Sequence, residues 1–151
     1  MQRHTVPAVL LSCGAAWLVL AAAGPALITP GKWENRIEVI DVQMAGAPPG
    51  VAAAMKGRPQ VITSCVTAEQ AAAGPRTLLN ADKGCRFTRY VATNGRLDSA
   101  LECVRPGSTL RATTTGTYTA TSYQSTGQSV MSGRVRMTMK TRNTGRRVGA
   151  C

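Results

Sequence analysis

Polar and apolar residues alternate along most of this chain with a period of two, the spacing of a strand that buries one face. In GKWENRIEVI, Trp33, Ile37 and Val39 fall on one side, while Glu34, Arg36 and Glu38 fall on the other. The following AGAPPGVAAAMKGRP is rich in Pro and Gly and reads as a loop with one helical turn at Val51–Lys56. QVITSCV is a short apolar strand. TAEQAAAG then offers Thr67 as a cap with Gln70 three residues on, a capping box, and Gly74-Pro75 as the stop. It predicts one short helix.

The stretch CRFTRYVATNGRLDSALECV is a hairpin around Asn94-Gly95. With a regular two-residue loop, Cys85 would oppose Val104 and the two cysteines would point to opposite faces. A three-residue loop, Thr93-Asn94-Gly95, puts Cys85 opposite Cys103, Phe87 opposite Leu101 and Val91 opposite Leu97, with Arg86 meeting Glu102 and Tyr90 meeting Asp98. One face is then apolar and the other pairs opposite charges, so the three-residue loop is the expectation. STLRATTTGTYTATSY and SVMSGRVRMTMKTR form a further hairpin. An even loop around Thr126-Gly127 places Tyr118 and Ala120 with Val135, Met137 and Met139. It leaves Thr113, Thr115, Thr117, Thr119 and Thr121 beside Arg134, Arg136, Thr138 and Lys140 on the opposite face. That register sets Arg111 against Arg142. The predicted class is mainly β: an antiparallel meander curling toward an open barrel, with one short helix and two disulfides.

The first 23 residues fall outside this pattern. Arg3 and His4 precede a long apolar run, and small residues offer cleavage after Ala23 or Ala26, the layout of a secretory signal peptide. Residues 30–151 form one domain by length. The chain carries 18 Lys and Arg against 7 Asp and Glu, and without Arg3 the remainder is +10. The one histidine is His4. Cys65, Cys85, Cys103 and Cys151 are separated by 19, 17 and 47 residues, too far apart for a zinc knuckle or a redox pair. An even count in an exported chain reads as two disulfides. The hairpin register pairs Cys85 with Cys103, and elimination pairs Cys65 with Cys151.

GKWE, SCVTAEQAAAGP, GTYTATSY and the closing GRRVGAC also resemble the domain of unknown function 3617 family of secreted bacterial proteins, over about residues 30–151. The resemblance implies export, paired cysteines and a mostly β domain. It brings no established catalytic residues.

The chemistry narrows accordingly. Beyond the leader there is no histidine to serve as a base, and no phosphate-cradling loop: GAPPG lacks the lysine and helix of one. Glu34 and Glu38, with Arg36 between them, read as a salt-bridged row on a solvated face. No catalytic residue, cofactor or metal is expected. From Val104 onward there are eight basic residues and no acid. Arg111, Arg134, Arg136, Lys140 and Arg142 are therefore the candidate anion-binding set, suited to lipopolysaccharide phosphates or anionic lipid headgroups. The basic face lacks aromatic residues to stack bases, which argues against nucleic acid. The expectation is an exported, periplasmic or outer-membrane-associated binding or structural module. The alternatives are a carrier of a small apolar ligand lined by Trp33, Tyr118, Met137 and Met139, and an unrecognised enzyme.

Overall fold

The computed structural model describes residues 27–151 except Pro49 and residues 80–83; the predicted signal peptide and both cleavage points lie outside the described residues. Seven antiparallel strands form a single sheet. They are β1 (Gly31–Met44), β2 (Gln60–Val66), β3 (Cys85–Thr93), β4 (Arg96–Arg105), β5 (Ser108–Tyr118), β6 (Ser122–Gly133) and β7 (Met137–Gly149). Their order is β2-β1-β7-β6-β5-β4-β3, so β3 to β7 run as a meander, β1 lies against β7, and the sheet stays open between β2 and β3. The antiparallel, unclosed architecture is the one the alternation predicts. The expected short helix is α2 (Ala68–Ala72), the helical turn expected at Val51–Lys56 is the five-residue α1 (Val51–Met55), and a 3₁₀ segment at Gly74–Leu79 is added to them. Gly74-Pro75 does end α2, but the chain continues into the 3₁₀ segment instead of a plain loop.

The Thr67 hydroxyl accepts from the Gln70 amide at 3.2 Å, and the Gln70 side chain accepts from the Thr67 amide at 2.9 Å. That reciprocal cap lets so short a helix persist where its isolated form would not. α2 and the 3₁₀ segment close over one end of the inner face. There Ile28, Trp33, Val66, Ala71, Leu97 and Tyr118 form the buried cluster, with Leu78, Leu79, Tyr90 and Tyr123 packed against it. Trp33 is fully buried and its indole N–H donates to the Thr29 carbonyl at 3.0 Å, which satisfies the ring's polar atom. Its burial stabilises by something on the order of 3 kcal/mol. A polar belt borders this cluster: the Tyr123 hydroxyl donates to Asn35, and Asn35 donates to the Ser64 hydroxyl.

The β3–β4 hairpin corrects one expectation while keeping its consequence. The loop has two residues: Thr93 pairs with Arg96, and Asn94 and Gly95 both take positive φ, 48° and 73°. This is the primed turn whose twist matches the strands. A bulge between Phe87 and Arg89 absorbs the extra residue, Thr88, so that Cys85 still opposes Cys103, Arg86 opposes Glu102 and Phe87 opposes Leu101. Beyond the bulge the pairs change: Ala92 opposes Leu97, Val91 opposes Asp98, and Arg89, not Tyr90, meets Asp98. The Cys85–Cys103 disulfide is formed. Cys65 and Cys151 are free, exposed and close enough for their thiols to hydrogen-bond.

The C-terminal hairpin is corrected more deeply. The turn falls at Ala120-Thr121, with Tyr118 opposite Tyr123, and Thr126-Gly127 lies inside β6. Thr119 makes this turn: its amide donates to the Ser122 carbonyl, and its hydroxyl accepts from the Thr121 and Ser122 amides. Gly127 is glycine for space, not for turning, because a Cβ there would come within 2.7 Å of the Thr141 hydroxyl. β6 therefore separates the threonine row from β7. Tyr118, Met137 and Met139 still share the inner face, while Val135 is drawn into the β6–β7 turn.

Candidate functional site

The five candidate basic residues do not form one face. Arg111 pairs across the sheet with Glu102 and Val130, not with Arg142, and donates to the Glu102 carboxylate at 3.0 Å. Arg142 opposes Thr126 on one side and Glu38 on the other, with a 3.6 Å ion pair to Glu38. The like-charge contact expected from the even loop is absent because the register that produced it is absent. Lys140 stays on the outer face beside Asp41, whose carboxylate is held by Lys56 at 3.0 Å. Arg134 and Arg136 leave the strand altogether: they lie in the turn between β6 and β7, away from Thr117 and Thr119.

Part of the outer-face charge is therefore paired, while Lys32, Arg36, Arg96 and Lys140 on that face join no ion pair among the described residues. Arg146 holds Glu34, Arg142 holds Glu38, Arg89 holds Asp98 at 2.6 Å, and Arg86 and Arg111 both hold Glu102. Arg86 first, and then Arg111, hold the Glu102 carboxyl below its ordinary value. The hydrogen bond from Lys56 lowers Asp41 in the same way. Such exposed pairs add little stability, but they consume the charge that a bound anion would need.

At the end of the sheet opposite the α2 cap, Arg134 and Arg136 sit two residues apart in one turn. The β6–β7 turn is tied to its neighbours by backbone hydrogen bonds, from the Arg134 amide to the Gly107 carbonyl at 3.3 Å and from the Ala45 amide to the Arg136 carbonyl at 3.0 Å. Arg134 lies over Gly107, its Nε within reach of where a Cβ would stand. Arg134 and Arg136 are exposed and join no ion pair among the described residues. Val104 and Val135 are 61% and 46% exposed in the same row of turns and strand ends, and Val130 is exposed beside them. A shallow groove of about 460 Å³ runs along this border, lined in part by Gln43, Val130, Ser132, Arg136 and Thr138. Val104 and Val130 had no place among the sequence-predicted residues, and Val135, expected on the inner face, is exposed in the turn instead. Pro106-Gly107 after Val104-Arg105 was the available signal, since a Pro-Gly pair marks a turn that ends β4 and brings its arginine and valine to the sheet's end.

The residues considered as a ligand lining are divided. Trp33 and Tyr118 belong to the packed cluster, while Met137 and Met139 lie toward the other end of the same face, half-buried. Among the described residues, no group of three metal-ligating side chains occurs, and no helix is long and apolar enough to cross a membrane.

An open, disulfide-tied antiparallel sheet with an α2 cap at one end and cationic turns at the other defines a small β module with its surface features at the sheet ends and edges. The chain belongs to the DUF3617 family, described as a protein of unknown function, whose sequence profile matches residues 28–151. No curated protein and no solved structure matches it.

Proposed function

We propose that this domain is an exported, non-enzymatic binding module of the cell envelope that meets anionic surfaces through the turn-bearing end of its sheet. One observation carries the reading. Five strand-face arginines, Arg86, Arg89, Arg111, Arg142 and Arg146, each have a carboxylate, whereas Arg134 and Arg136, two residues apart in one turn, have none among the described residues, as is also true of Arg36 and Arg96 on the strands. Exposed Val104 and Val135 beside them suit an interface that is charged outside and apolar beneath, as at lipid headgroups or lipopolysaccharide phosphates. The Cys85–Cys103 disulfide is compatible with an oxidising compartment, periplasmic or at the outer membrane.

The test is cosedimentation with vesicles of anionic and of zwitterionic lipid. The Arg134→Glu/Arg136→Glu variant should keep its unfolding midpoint, since exposed substitutions of this kind cost no more than about 0.5 kcal/mol, and should lose adsorption to the anionic vesicles. Parent adsorption should fall steeply with salt as the screening length drops from about 10 Å at 0.1 M to about 3 Å at 1 M. Adsorption by the folded variant equal to that of the parent would remove the basis for the reading. A second reading, a carrier of an apolar ligand, draws support from Leu101, Leu110, Met131, Met137 and Met139, which are half-buried on the inner face beyond the packed cluster. Lipid released from the purified protein and seen by mass spectrometry would favour it.

A further inference from the structure

β2 is the outermost strand of an open sheet. All seven of its residues pair with β1, without a bulge, and among the described residues no backbone hydrogen bond reaches Gln60–Cys65 from the other side. A row of N–H and C=O groups is thus presented to solvent. Natural edges are usually blunted by lysine, proline, a bulge or an inward charge. The opposite edge strand follows that rule: β3 carries Arg86 and Arg89 and the bulge at Thr88. β2 does not. QVITSCV has no charge and no proline, and it exposes Val61 and Ile62, 55% and 43%, on opposite faces of the sheet.

The charge around this edge selects what would cover it. On the outer face of β1, Arg36 stands opposite Val61 and Lys32 opposite Cys65. Both are exposed and neither joins an ion pair among the described residues, while Glu34 between them is held by Arg146. Arg58, two residues before β2, is exposed and likewise in no ion pair among the described residues. An added strand would lie two spacings, about 10 Å, from β1, a gap that long side chains reaching from both sides can close. A second copy of the chain would bring its own Lys32, Arg36 and Arg58 to the same border. An acidic segment would neutralise them.

We propose that β2 is a strand-addition site for an extended acidic segment of a partner protein: backbone hydrogen bonds supply the affinity, Val61 and Ile62 the apolar contacts, and Lys32 and Arg36 the selection for carboxylates. This site is separate from the turn-bearing end. The probe is a labelled peptide alternating glutamate with valine, read by fluorescence anisotropy and by amide hydrogen exchange. Binding should protect the amides of residues 60–65, should fail for the same peptide with alternate amides N-methylated, and should fail for its lysine counterpart. The Lys32→Glu/Arg36→Glu variant, folded by its thermal unfolding, should bind roughly three- to tenfold more weakly, the scale of two exposed ion pairs. Equal binding of the N-methylated or the lysine peptide would overturn the proposal. So would protection appearing at residues 133–137 in place of 60–65, which would assign the peptide to the basic end. Dimerisation of the parent in sedimentation that is abolished by Val61→Glu would overturn it as well, because the edge would then belong to a second copy.

Discussion

Oxidation should join Cys65 to Cys151. Lys32 of β1 pairs with Cys65 on one side and with Gly149 on the other, so the last residues of the chain emerge beside the start of β1. Cys151 there reaches the Cys65 thiol and the Val66 backbone. Closing the bond therefore asks for a local adjustment of an exposed terminus. The link would span residue 65 to residue 151, a separation of 86 residues, against 18 for Cys85–Cys103. In the chain-entropy account the long loop is worth about 4.6 kcal/mol and the hairpin loop about 3.2 kcal/mol. Denaturant unfolding of a Cys65→Ser/Cys151→Ser variant should therefore show the larger loss relative to the oxidised parent, and Cys85→Ser/Cys103→Ser the smaller. Closure should also accelerate with pH. The hydrogen bond that the Cys151 thiol makes to Cys65, then burial, pushes that thiol above its ordinary 9.0. With oxidised glutathione as the oxidant, the thiolate attacks its disulfide, and the partner cysteine then displaces the second glutathione thiolate from the mixed disulfide. Non-reducing peptide maps check the connectivity. A Cys65–Cys85 peptide, or a C-terminal variant as stable as the oxidised parent, would refute the reasoning.

Deleting Thr88 should leave Cys85 bonded to Cys103, because the bulge opposes two residues to one and its loss restores a regular ladder; a remapped disulfide would show that the bulge sets the register. Glu102→Gln should lower stability at neutral pH and leave a flatter acid limb. The folded carboxyl titrates below its ordinary value, so its contribution is present above the unfolded value of about 4.3 and is lost as pH falls through the folded one. A stability difference between Glu102→Gln and parent that does not shrink with acid would count against the Arg86–Glu102–Arg111 arrangement.

The parts of the fold legible in the sequence are those whose causes are local. Trp33, Ile37 and Val39 alternate with charged residues, and the strand they predict has that inner face. Thr67 and Gln70 announce α2, and the cap is made. The Cys85–Cys103 pair was reachable through the face each residue must take, even with the wrong loop, because a single added residue can sit in the loop or in a bulge and satisfy the same pattern. The C-terminal half was not legible in this way. A glycine after threonine reads as a turn, but Gly127 answers to Thr141 on a strand that sequence analysis cannot place beside it. The true turn depends on Thr119, one of several similar threonines in the run. Moving that turn moved every arginine downstream of it.

The displacement of those arginines changes what kind of site the domain can have. Had Arg134, Arg136 and Lys140 lined one strand face beside the threonines, binding would have been a property of a flat sheet surface. In the folded chain, acids from β1 and β4 take up part of that charge: Glu34, Glu38 and Glu102, which precede the basic half of the sequence, pair with Arg146, Arg142 and Arg111. The excess of positive charge after Val104 is thus spent on cross-strand pairing wherever β7 or β5 meets an acid-bearing strand. Of that excess, Arg134 and Arg136 remain at the β6–β7 turn, which meets other turns instead; a separate unpaired pair, Lys32 and Arg36, stands at the β1–β2 border, facing an uncharged strand. Net charge alone does not locate a binding site in a sheet protein; the strand order decides which charges remain to be used.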